Sequence, residues 1–193
     1  MFRNSTIGIS LCLAAVLVGS GGVIAQTNGQ KEEFSAAAIR NDNLGSGAER
    51  VIIRVERWST EAERGTLSEA LLKSGNDKLL DSLQKLKSVG SIRTPDSLGY
   101  ELRYAHQEPG EDGGRRIVIA TDRPIGYWEA RNQPRTIDYP FTVIQMEIDK
   151  NGEGKGTMSY ATKIMARGNT IELENFTSSP VMLNDIKAKK LTN

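Results

Sequence analysis

The chain has 193 residues, 25 basic and 24 acidic side chains, one histidine and one cysteine. A formal net charge of +1 without any run of five or six like charges excludes the electrostatic footprint of a nucleic-acid binder and a polybasic membrane patch. With Cys12 as the single cysteine, internal disulfides and clustered thiolate metal sites are excluded as well.

Met1 to Asn4 form a short n-region with one positive charge, at Arg3. An apolar run from Ile7 to Val18 follows, then Gly19-Ser20-Gly21-Gly22 and Val23-Ile24-Ala25-Gln26. This order is that of a secretory signal peptide, residues 1–25, with cleavage expected between Ala25 and Gln26. The apolar run is about 12 residues, short of the roughly 20 that a membrane span needs. Leu11 before Cys12, with apolar sequence continuing past it, does not fit a lipid-attachment site. Cleavage would remove Cys12 and Arg3. It would leave a charge-balanced, cysteine-free chain, periplasmic or secreted, with no membrane span.

Residues 26–49 are polar and small and read as a flexible lead, with Phe34 to Ile39 as a short helical turn. A single domain is expected over residues 50–190. Val51 to Trp58 reads as a strand, rich in β-branched residues, with Val51, Ile53 and Val55 on one face. Ser59 or Thr60 can cap a helix whose first turn carries Glu61 and Glu63. That helix presents Leu67, Leu71 and Leu72, and Gly75-Asn76 ends it. Asp77 caps a second helix with Leu79, Leu80, Leu83 and Leu86 at helical spacing. These leucines are expected to be core packing rather than a binding groove.

From Tyr100 the period changes to two, with Tyr100, Leu102, Tyr104 and His106 on one expected strand face. Turn residues at Pro109 to Gly114 connect this strand to Arg116–Thr121. Phe141–Asp149, Thr157–Met165, Thr170–Phe176 and Val181–Lys187 follow, separated by Asn151-Gly152, Gly168-Asn169 and Ser178-Ser179-Pro180. The pattern predicts an α+β domain: a curved antiparallel meander of about seven strands, half-barrel or barrel-like, with two helices inserted after the first strand.

Chemistry-bearing motifs are sparse. Glu108, Glu111 and Asp112 lie near His106, but the nitrogen and sulfur ligands of a zinc site are missing. A Ser-His-Asp arrangement can be distant in sequence, yet there is no Gly-x-Ser-x-Gly elbow. The plain reading of His106 is a strand-end histidine entering a turn. Asp149, Asn151 and Glu153 start a calcium-loop pattern, but Tyr160 stands where the bidentate glutamate belongs, so a β-turn is expected. Gly152-Glu153-Gly154-Lys155-Gly156 lacks phosphate-loop spacing. No metal and no cofactor are expected.

The most unusual stretch is residues 121–140, which interrupt the meander with three prolines. Arg123, Arg131 and Arg135 are interleaved with Glu129, Asp138, Tyr127, Trp128 and Tyr139. Arginine beside aromatic side chains is the chemistry of a recognition surface, and long connections in compact domains are often functional. The competing reading is a structural crossover whose charges pair with each other, with Trp128 in the core.

Taken together, Ile92-Arg-Thr-Pro-Asp-Ser-Leu-Gly-Tyr100, Gly113-Gly-Arg-Arg-Ile-Val-Ile-Ala-Thr-Asp-Arg-Pro124, Tyr127-Trp-Glu-Ala-Arg-Asn-Gln-Pro-Arg135 and Gly152-Glu-Gly-Lys-Gly156 resemble a family of uncharacterised exported bacterial proteins, from about residue 50 to 187. The resemblance implies a bacterial, periplasmic setting and carries over neither an activity nor site residues. The leading expectation is a non-enzymatic exported domain that binds a small apolar or amphipathic molecule within the curved sheet. The alternatives are a cell-envelope protein–protein module using residues 121–140 and, third, a hydrolase-like enzyme.

Overall fold

The computed structural model of the protein describes residues 9–10, 29–42, 45–125, 138–167 and 170–192. Apart from Ile9 and Ser10, the stretch read as a signal peptide, with Cys12 and the cleavage position, lies outside the described residues.

Ile9–Ser10 (β1) is a two-residue strand. β2 (Glu32–Asp42) and β3 (Gly45–Val55) form a hairpin in unbroken register, from Glu32 opposite Val55 to Asp42 opposite Gly45. Residues 32–42 and 45–49, expected to belong to a flexible lead with a helical turn, therefore lie in two strands of the sheet. Alternation explains it: Glu32, Phe34, Ala36, Ala38 and Arg40 are buried, while the residues between them are more exposed. The buried set is charged at both ends and small in the middle, so it lacks the β-branched content that marks a strand in sequence.

Thr60 caps α1 (Glu61–Lys85) through a capping box with Glu63. One helical element thus stands where two helices were expected, and Gly75 breaks it with φ 72° and ψ −155°. Only glycine adopts that region readily. At about 1.5 Å per residue a straight helix of this length would separate its ends by well over 30 Å. Instead the flanks of α1 meet: the Arg57 guanidinium donates to Glu63, to Lys87 O at 2.7 Å and to Ser88 O at 3.2 Å. The helix is a V with its apex at Gly75.

The remaining strands are β4 (Gly90–Arg93), β5 (Tyr100–Leu102), β6 (Tyr104–Pro109), β7 (Arg115–Thr121), β8 (Phe141–Ile148), β9 (Glu153–Arg167), β10 (Thr170–Asn175) and β11 (Val181–Lys190). Among the described residues, eleven strands make one antiparallel sheet, against about seven expected. The order is β5-β4-β3-β2-β11-β9-β8-β7-β6, with β10 on β9 and β1 on β10. β5 and β6 stand at opposite ends of that order yet are separated in the chain by Arg103 alone. Arg103 N donates to Ala120 O of β7 at 3.0 Å, so the sheet curls almost onto itself as a nearly closed barrel.

Close turning of the wall needs missing side chains. A Cβ on Gly154 would stand 2.0 Å from Glu147 O, and one on Gly156 would stand 2.3 Å from Gln145 O. The glycines after Gly152 therefore let β9 approach β8 closely, a bend rather than a phosphate cradle. Asp149 Oδ1 accepts from the backbone N–H groups of Asn151 and Glu153, which is a turn using its own carboxylate.

The barrel interior is filled. Phe34, Ile53, Leu102, Ile117, Ile119, Ile144, Met146, Met158 and Leu183 are almost fully buried there. At one end Arg115 closes it, donating to both carboxylate oxygens of Glu32 and to Gln107 Oε1 at 2.7 Å while lying 5.8 Å over the Phe34 ring. At the other end of β2, Arg40 faces Asp42 at 3.6 Å, and Tyr160 Oη donates to Asp42 Oδ2 at 3.0 Å. The lumen in which a ligand was expected is occupied by the protein's own side chains.

Candidate functional site

The outer face of the barrel is built in cross-strand rows. Register places Glu108 beside Arg116 and Glu147, His106 beside Val118 and Gln145, and Tyr104 beside Ala120 and Val143. The face therefore passes from charged, through mixed, to a row that is apolar apart from the Tyr104 hydroxyl. Arg103 decides which side chains reach it. Leu102 and Ala105 both point into the core, three residues apart, so the alternation slips at Arg103. Tyr104 and His106 consequently face outward, whereas the sequence pattern placed them on one face with Leu102.

The V of α1 covers these rows. Its start is stitched to β6 by Ser59 N to Ala105 O (2.8 Å) and by Ala105 N to Ser59 Oγ (3.1 Å). Its apex is held by Asn76, whose Oδ1 accepts from Ile164 N at 3.1 Å. That N–H is available because β8 pairs with β9 only as far as Thr162. Beyond it β9 and β10, with the two residues of β1 on β10, continue as a flap, and Ile164, Ile171 and Leu173 of the flap pack toward the helix.

Between the V, the outer rows and the flap lies a groove of about 210 Å³. Leu67, Leu71, Leu79 and Leu83 form its roof, and Val118, Ala120 and Val143 its floor. These helix leucines were expected to be packing only; they pack and also line the groove. One end is polar, with Tyr104, His106, Gln145, Arg64, Glu108 and Arg116. Arg64 pairs with Glu61 at 2.6 Å and Arg116 with Glu108 at 3.2 Å, so the charges at this end are balanced in pairs.

Tyr104 and His106 stack with ring centroids 6.3 Å apart. Burial pushes the Tyr104 phenol up to about 12. Burial, helped by the nearby Arg64 guanidinium, pulls His106 below its ordinary value of 6.5. Both are uncharged at neutral pH. The side chains of Tyr104, His106 and Gln145 are partly exposed and make no hydrogen bond to any described residue. His106 thus lies at the groove, but no described serine or carboxylate is bonded to it as a nucleophile–base pair would require. No group of three or more His, Cys, Asp or Glu side chains suited to a metal occurs among the described residues. No helix among them is long and apolar enough to cross a membrane.

Of the residues singled out between 121 and 140, Tyr127, Trp128, Glu129, Arg131 and Arg135 lie outside the described residues. Arg123 is exposed, 4.0 Å from Asp122. Asp138 is exposed. Tyr139 Oη donates to Glu174 at 2.7 Å, with Lys163 Nζ 4.6 Å over its ring and Phe176 edge-on at 5.6 Å. None of the three lines the groove. The segment leaves the barrel pinned, since Ile125 N donates to the buried Thr142 Oγ1 at 3.0 Å.

A second depression, about 1420 Å³ and open to solvent, lies at the Arg115 end of the barrel. Its rim mixes Arg116, Lys150, Lys155 and Lys187 with Glu147, Asp149, Glu153 and Asp185. Such a surface selects neither sign of charge and is polar over about half of its lining, whereas the groove is lined mainly by apolar side chains, so the groove is the better candidate. No protein-family model, no curated protein and no solved structure matches this chain, and the reading of the groove rests on its geometry.

Proposed function

We propose that this protein is an exported binding domain that holds a small apolar or amphipathic molecule between α1 and the outer face of its barrel. One observation carries the reading: an apolar groove whose polar end keeps hydrogen-bonding side chains unused by the rest of the fold. A few polar side chains placed beside an apolar cleft are the usual means of orienting a ligand. Export rests on the N-terminal features alone. The packed lumen supports a site on the outside of the barrel rather than within it.

The test is titration of the purified protein with an environment-sensitive apolar dye such as phenylnaphthylamine. Saturable enhancement is expected, and Val118→Trp, which fills the floor, should weaken it about tenfold or more while the circular dichroism spectrum is kept. Undiminished binding by a folded Val118→Trp protein would remove the groove from consideration.

A further inference from the structure

We infer that the groove selects an uncharged single-chain or single-ring amphiphile, with a hydroxyl- or amide-type polar end seated on Tyr104, His106 and Gln145. This rests on the binding reading above and names the ligand class for the same site.

Size sets the first limit. At about 210 Å³ the groove is smaller than the roughly 300–1,000 Å³ typical of sites for drug-sized ligands. It has room for one short chain or one ring, and two-chain lipids are too large. Polarity sets the second limit. The side chains that reach in beside the apolar floor are a phenol, an imidazole and a carboxamide, each able both to donate and to accept. A hydroxyl or amide matches that set in both directions, whereas a carboxylate can only accept. The neutral forms of Tyr104 and His106, favoured by burial, agree with this.

Charge sets the third limit. A carboxylate or ammonium group in this groove would need an opposite charge free to meet it, because an ion taken out of water without a partner is costly. Arg64 and Arg116 stand at the rim, each with a carboxylate partner of its own, Glu61 at 2.6 Å and Glu108 at 3.2 Å. The rim therefore offers neither a surplus of positive charge for an acid nor a surplus of negative charge for an amine. Along the floor the gradient runs from the Glu108–Arg116–Glu147 row through His106–Val118–Gln145 to Tyr104–Ala120–Val143. The apolar body of the ligand belongs over Val118, Ala120 and Val143, under Leu71 and Leu79.

The experiment is displacement of the apolar dye by octanol and by octanoate, in mildly alkaline buffer that keeps octanoate ionised. Octanol should displace the dye, and octanoate should be weaker by about tenfold or more. The shape-preserving double variant Tyr104→Phe/Gln145→Leu should lose about tenfold of octanol affinity relative to its own dye affinity. Octanoate binding as tightly as octanol, or a double variant with unaltered octanol affinity, would overturn the uncharged-head inference while the groove reading stands. A wild-type protein that binds neither dye nor octanol would instead overturn the groove reading itself.

Discussion

The barrel interior and the groove beneath α1 are both lined by aliphatic side chains, but they are finished differently. Inside, Ile144 is 1% exposed and Ile117 fully buried, and Arg115 on Glu32 closes one end. Under the helix, Leu67 and Leu71 keep 8% and 7% exposure, and Tyr104, His106 and Gln145 line the gap. The interior is closed at one end by a paired charge, whereas the groove is lined at one end by polar side chains that the described residues do not pair. A barrel shape therefore does not locate a binding site; the state of its polar groups does.

The comparison can be broken most sharply at the ion pair. Arg115→Ala leaves Glu32 among apolar side chains, and the loss of one partner of a buried pair costs about 3–5 kcal/mol. Urea unfolding should show that loss, and a near-unchanged midpoint would mean the pair does not seal the lumen. Next in size is a matched pair of truncations. Ile144→Ala in the packed interior should cost about 2–5 kcal/mol, and Leu71→Ala above the groove should fall at or below the lower end, because part of its surroundings is already open. Equal costs would erase the distinction between the two regions.

Smaller still is Gly75→Ala. No neighbouring atom lies within 4 Å of a Cβ at that position, so the penalty comes from the backbone at φ 72°, about 1–3 kcal/mol. A variant as stable as the parent would show that the V can straighten or re-bend freely. The smallest effect belongs to His106. Burial holds its folded-state affinity for protons below the ordinary 6.5, so the unfolded chain binds more protons as pH falls. Stability should be complete above about pH 6.5 and decline below it. His106→Phe should flatten that slope in thermal unfolding measured from neutral to mildly acidic pH. An unchanged slope would place His106 in water rather than in the groove.

Much of the architecture was legible in the sequence. The strands from β6 to β11 announce themselves by alternation and by turn residues such as Asn151-Gly152, although β10 and β11 both pair with β9 rather than with each other, and Gly75 marks the break in the helical stretch. The misreadings have identifiable causes. β2 escaped because its inner face is Glu, Phe, Ala, Ala and Arg rather than valine and isoleucine, and its burial depends on partners far along the chain. β4 is only four residues long, too short to show a period. The face of Tyr104 and His106 was misjudged because one residue, Arg103, slips the alternation. The groove was invisible because leucines roofing a cleft and leucines filling a core have the same helical spacing. The exposed positions of Arg123 and Asp138, and the contacts of Tyr139 with the flap, place those three away from the groove.

The pairing of β2 with β11 has a temporal meaning. Met182 to Lys190 lie against Glu32 to Ile39, and Leu191 N donates to Lys31 O at 2.8 Å. The earliest long strand of the sheet waits for the last one, so the wall cannot be completed until residues near 190 have emerged from the ribosome. Contacts of such long sequence separation make folding slow. The same adjacency makes residues 31 and 191 natural points to join in a circular permutant, with new ends cut in a surface turn.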